Sequence, residues 1–182
     1  TKANYQAALR SVTFQNTGDD PTAISATRSI TWAVTDANSD GVGAQTSIAV
    51  TSSVNVTATA DAPIVTGSPA SGTISYTESN DPVAIAPALA FTDADDSALS
   101  KAVVSITANL MSGDKLDAVT TGTNISVDYN AGILTLTGDD TLANYQSVLR
   151  SVTFSNDSAD PTDSGAKTTR SFSWTVTDAN SD

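Results

Sequence analysis

Histidine and cysteine are both absent from the 182 residues, which removes the imidazole base, the thiolate nucleophile and the thiolate metal ligand. What remains for chemistry is oxygen. Acidic residues number 20 against 8 basic ones, and they gather where turns are expected. Asp36-Ala37-Asn38-Ser39-Asp40-Gly41 follows the D-x-N-x-D-G opening of an EF-hand loop, in which alternate oxygens face inward and the glycine permits a sharp turn. Ser47 stands at the twelfth position, where a bidentate glutamate is required, so such a site needs ligands from elsewhere. The same residues also suit a plain hairpin turn, because Asp, Asn and Gly favour the backbone conformations a turn needs. A second store of oxygen lies in Asp61, Glu78 and the run Asp93-Ala94-Asp95-Asp96.

The elements that must position these groups are written twice. ANYQAALRSVTF at 3–14 recurs as ANYQSVLRSVTF at 143–154, and TRSITWAVTDANSD before residue 41 recurs as TRSFSWTVTDANSD at the end of the chain. Tyr5 recurs as Tyr145, an offset of 140, and Trp32 as Trp174, an offset of 142. The loop between them therefore gains two residues in the second copy. A period of this length is that of a domain, far longer than a solenoid repeat. The expected division is residues 1–60 as the C-terminal half of one repeat and 61–182 as the next repeat lacking its last strand.

Apolar periodicity gives the fold class. Tyr5, Ala8, Leu9 and Val12 fall at helical spacing and predict one or two turns before the chain extends through Phe14. Ile30, Trp32 and Val34 alternate with Ser29, Thr31 and Ala33, and Ile48, Val50, Val54, Val56 and Ala58 alternate after the Asp36–Gly41 turn, which predicts a hairpin. Asp61-Ala62-Pro63 ends that ladder. Beyond it come a turn at 67–72, an extended segment through Ile74, Tyr76 and Glu78, and an edge strand marked by Pro82 and Pro87. Strands follow at Val104–Leu110 and Leu116–Ala118, then a hairpin about Asn130-Ala131-Gly132, with Thr137–Asp140 as the turn that closes it. Many short strands with almost no helix predict an all-β chain of antiparallel sandwich domains, with a short helical turn before a late strand. Trp32 and Trp174 fall on the inner faces of their strands, as core residues between sheets. Tyr5 and Tyr145 are expected to pack with their hydroxyls on the neighbouring loop. Residues 1–40 are half a sandwich and are expected to need a cover, supplied by a neighbouring copy or a longer repetitive polymer.

Composition excludes several partners. A net charge of -12 and a charged fraction of 15% describe a sparsely charged acidic chain that repels nucleic-acid phosphates and anionic membranes and attracts cations. No apolar run is long enough to span a bilayer. Serines lack a base to activate them, and carboxylates that recur with a repeat do not suggest a glycosidase pair, so an enzyme is not expected.

The succession YTESNDPVAIAPALAFTDAD, SVDYNAGILTLTG, TLANYQSVLRSVTFSN and TTRSFSWTVTDANSD resembles the bacterial cadherin-like repeats of very large secreted or surface-anchored adhesins of the RTX type. The resemblance implies tandem immunoglobulin-like sandwiches strung into rods. It further implies export to the cell surface or medium, commonly by type I secretion, and a part in adhesion or biofilm cohesion. Calcium at domain junctions is implied as well, and the order of a linker acid, an early glutamate and an Asp-x-Asp loop carries ligand roles to Asp61, Glu78, Asp93 and Asp95. Asp36, Asn38 and Asp40 are the competing calcium site. Expected partners are adjacent repeats or copies of the chain itself, with extracellular polysaccharide as the alternative.

Overall fold

A computed structural model describes residues 1–66 and 74–179. The chain divides into two compact units, Thr1–Thr59 and Ala60–Asp182. Its structure is antiparallel β with two short helices, so the all-β expectation holds. No helix among the described residues is long and apolar enough to cross a membrane.

The first unit contains helix α1 (Lys2–Arg10) and strands β1 (Thr27–Trp32) and β2 (Val50–Asn55). Thr1 caps α1 by accepting a hydrogen bond from the Asn4 N–H, so the helix starts on local chemistry. The two strands pair antiparallel from Thr27↔Asn55 to Trp32↔Val50, which is the hairpin read from the alternation, though its second strand is shorter than predicted. Ile48, at one end of that alternation, lies outside the strand and is exposed. No strand forms at Val12–Phe14, and no side chain of this unit is buried. Trp32 is half-buried, because its own unit holds only the β1–β2 sheet.

The second unit opens with β3 (Ile64–Thr66), β4 (Val83–Ala84) and β5 (Ala90–Thr92). The turn expected at 67–72 lies outside the described residues. The segment through Tyr76 and Glu78 joins no strand, and Tyr76 is tied down by its hydroxyl, which donates to the Asn156 carbonyl at 2.8 Å. Next come β6 (Ala98–Ala108), β7 (Asp114–Asp117), β8 (Ser126–Asn130) and β9 (Ile133–Thr141), then helix α2 (Leu142–Arg150), β10 (Thr153–Asn156) and β11 (Ser171–Asp178). One sheet has the order β4-β10-β7, the larger one β11-β6-β9-β8, and β3 pairs with β5. Pro82 stands beside the edge strand β4, where a missing donor is tolerated.

Thr137–Asp140 is strand, not turn. β9 continues through it along β6, where Leu99 pairs with Asp140 and Ala98 with Thr141. Gly138 made the segment look like a turn, and the glycine serves another need. Its φ is 126°, and a Cβ there would lie 2.4 Å from the Asn124 carbonyl oxygen, so only glycine lets these backbones pass.

Alternation along β6, β7 and β9 sends Leu99, Ala102, Val104, Leu116, Leu134 and Leu136 into one core. Helix α2 adds Tyr145, Val148 and Leu149, and Val152 and Phe154 follow from the segment after it. Phe154 on β10 meets Tyr76 and, across to the other sheet, Phe172 edge-on at 5.3 and 5.9 Å. Tyr145 is fully buried, as expected for a packing residue, and its hydroxyl donates at 2.7 Å to the Gly138 carbonyl, which lies on β9 rather than on a loop. Trp174 is half-buried against the core rather than enclosed, because β11 is the outermost strand of its sheet.

Candidate functional site

The acidic run at 93–96 links β5 to β6 in the second unit. Asp93 Oδ1 accepts from the N–H groups of Asp95 and Asp96, at 3.4 and 3.2 Å, and so closes the turn on itself. Asp95 Oδ2 accepts from the Asp61 N–H at 2.9 Å, which brings the start of the unit onto this turn. Asp93 Oδ2 and Asp95 Oδ1 are buried without a hydrogen-bond partner. Two adjacent carboxylates in such a place move apart in proton affinity. Burial first, and then the Asp95 carboxyl, pushes Asp93 up, while the Asp61 backbone N–H holds Asp95 below the usual carboxylate range.

Glu78 is elsewhere. It lies in the Thr77–Asn80 turn and shares a hollow with Lys115, Asn156 and Asp157. Asn156 pairs with Asp114, whose carboxylate binds Arg170 just ahead of Ser171, the residue opposite Ala108 at the far end of β6. Asp93 and Asp95 precede Ala98 at the near end of β6. An 11-residue strand spans roughly 36 Å. Glu78 and the Asp-x-Asp turn therefore occupy opposite ends of the unit. Sequence order cannot reveal this, since it does not say at which end the segment before the first long strand lies.

In the first unit, the oxygens of the Asp36–Gly41 loop are turned onto its own backbone. Asp36 Oδ1 accepts from the N–H groups of Asn38 and Gln45 at 3.0 and 3.2 Å, Asn38 Oδ1 from Gly43 at 2.6 Å, and Asp40 Oδ1 from Val42 at 3.3 Å. Asn38 itself has a φ of 52°, a conformation asparagine tolerates. These contacts are those of the plain turn weighed against the EF-hand reading.

Calcium takes roughly six to eight oxygens. The two unpartnered oxygens of Asp93 and Asp95 suit a hard cation, but they fill only part of such a shell. Among the described residues no group of three or more acidic side chains stands close enough to share an ion.

The most enclosed polar constellation was not singled out in the sequence. The Asp114 side chain is fully buried and takes Arg170 through Nε and Nη2 at 2.6 and 3.1 Å, Asn156 Nδ2 at 2.6 Å and the Met111 N–H at 2.8 Å. Arg170 also donates to the carbonyls of Pro161 and Lys167. With its donors and acceptors matched, the group is a clamp between β7, β10 and the 157–169 loop. The only signal for it is the arginine of the Thr-Arg-Ser peptide that both copies share.

No family model, curated protein or solved structure matches the chain. The residues and their geometry stand alone.

Proposed function

We propose that the chain is a structural, adhesive repeat module of a very large extracellular or cell-surface protein. In this reading the units are successive immunoglobulin-like sandwiches, and the work they do is mechanical. The observation that carries it is the duplicated stretch. At 141–178 it supplies the helix and late strands that close a packed β unit, and the same residues recur at 1–36 with the same helix and the same pairing-competent strand. A segment that closes one unit and is written again is the mark of a chain built by adding units.

Calcium is the cation this reading calls for. Asp93 and Asp95 would offer their unpartnered oxygens, with Asp61 held against them, and water or further chain would complete the shell. The absence of histidine and cysteine supports a non-enzymatic role. Small-angle scattering of the chain with calcium and with chelator tests the proposal. The expected result is a longer, stiffer particle with calcium, which Asp95→Asn abolishes. A particle of unchanged dimensions would remove calcium from the proposal.

A further inference from the structure

The larger sheet has two outer strands, and the repeat provides for one of them. β2 follows β1 in the first unit and pairs with it, so a counterpart of β2 belongs beside β11 within the same chain. β8 ends the other side of the sheet β11-β6-β9-β8, and among the described residues no strand lies beyond it. Its five residues, Ser126–Asn130, are exposed except for a half-buried Tyr129.

The direction of its free backbone follows from the turn. Ala131 and Gly132 have φ of 47° and 86°, as in a two-residue type I′ hairpin, where the flanking residues Asn130 and Ile133 exchange both of their backbone bonds. The Ile106 N–H agrees, since it donates to the Gly132 carbonyl and leaves Ile133 to β8. Alternation then turns Asn130, Asp128 and Ser126 towards β9, and the N–H and C=O groups of Val127 and Tyr129 away from the sheet. These groups form a raw edge.

Such an edge fits itself. Two β8 strands laid antiparallel use all of these groups only when Val127 of one faces Tyr129 of the other, and that register is centred on Asp128. Ser126 then faces Asn130, and Asp128 faces Asp128 in a non-hydrogen-bonded pair with Cα atoms about 4.5 Å apart. Asp128 stands opposite Thr135, which alternates with the buried Leu134 and Leu136, so its side chain is on the solvent face of the sheet. The two carboxylates would therefore meet side by side, and like charges directly opposite each other resist pairing. Registers that separate them keep only one of the two bonded residue pairs. Nothing else in Ser126–Asn130 discourages a further strand, since it contains no proline, lysine or arginine.

We propose that Asp128 is a guard, which keeps the β8 edge from pairing with β8 of a second copy and so from running two four-stranded sheets into one. The contact it prevents is isologous, the same strand on both sides, and closes as a pair. In the repeat-module reading the same edge returns in every unit of one chain, where copies meet at high effective concentration, and misjoined units are the failure the guard averts. The geometry of the edge stands without that reading.

The chain has no cysteine, so introduced thiols report the pairing. Full-length Ser126→Cys and Asn130→Cys chains are mixed and oxidised, once with Asp128 in place and once with Asp128→Asn in both. Asp128 is exposed, so its replacement leaves the fold intact. The expected result is a mixed disulfide dimer that forms at least about tenfold faster with Asp128→Asn, because only the register centred on residue 128 brings positions 126 and 130 to disulfide geometry. Asp128→Lys restores a like-charge pair and should be as slow as the parent. Equal rates for Asp128 and Asp128→Asn would overturn the guard, and a fast Asp128→Lys would overturn charge as its means. Ser126→Cys chains that link to each other as fast as the mixture would overturn the register. None of these outcomes bears on the calcium-dependent dimensions by which the module itself is tested.

Discussion

Two copies of one stretch fold in two surroundings, and the contrast separates what is local from what is not. Tyr145, Leu149 and Phe154 are 0%, 1% and 7% exposed, while their counterparts Tyr5, Leu9 and Phe14 are 70%, 39% and 42% exposed. Both copies nevertheless form a nine-residue helix with a threonine N-cap and a serine C-cap. Arg28 and Arg170 both donate to the carbonyl of the proline in the preceding loop, Pro21 or Pro161. What differs is the strand after the helix. Residues 153–156 pair with β4 and β7 and become β10, whereas 13–16, with no strand on either side, stay irregular. Helix capping and turn chemistry travel with the sequence, and strand formation waits for a neighbour.

The contrast is broken or sharpened by matched substitutions, with unfolding in urea followed through Trp174 in a Trp32→Phe background for the second unit and through Trp32 in a Trp174→Phe background for the first. The largest effect is expected for Asp114→Ala, which strands a buried guanidinium and should cost the second unit about 3–5 kcal/mol. The corresponding test in the first unit, Arg28→Met, has no carboxylate to orphan and should change stability by less than about 0.5 kcal/mol. Next is Leu149→Ala, expected to cost about 2–5 kcal/mol through the cavity it leaves, against a near-silent Leu9→Ala. Similar costs at positions 9 and 149 would mean that the first copy is covered in solution. Third is Thr141→Ala, which removes the side chain accepting from the Asn144 N–H and should cost about 1 kcal/mol.

The last effect is a matter of pH. Burial, and then the charges of Asp139 and Asp140, push the Tyr145 phenol up to about 12 from its ordinary value of 10.0. The unfolded chain therefore releases this proton first as pH rises. The stability Tyr145 confers is complete below pH 10 and is lost as pH climbs through about 12. Tyr145→Phe should flatten the alkaline limb of the stability profile, and an unchanged limb would show that another group governs it.

Much of this was legible in the residues. Alternation placed the β1–β2 hairpin and the hairpin about Asn130-Ala131-Gly132, and helical spacing placed α1, with α2 following from the repeat. The reading failed at Gly138, where a glycine demanded by the approach of Asn124 was taken for a turn. It failed again at Glu78, because spacing along a chain does not say which end of a sheet a loop returns to. Trp174 kept its inward face but lost its enclosure, since enclosure depends on a strand beyond β11. Asp114 left no mark at all. An aspartate in a Ser-Gly-Asp-Lys sequence reads as a turn, and only the arrival of Arg170 from 56 residues away makes it the centre of a network.

That guanidinium holds the 157–169 loop at two points, the carbonyls of Pro161 and Lys167. A protease that cut the chain between them would leave each new end moored to the same side chain, with β10 and β11 still laid into their separate sheets. Such a nick severs the polypeptide without loosening the fold. Proteolytic wear can therefore accumulate here without being felt.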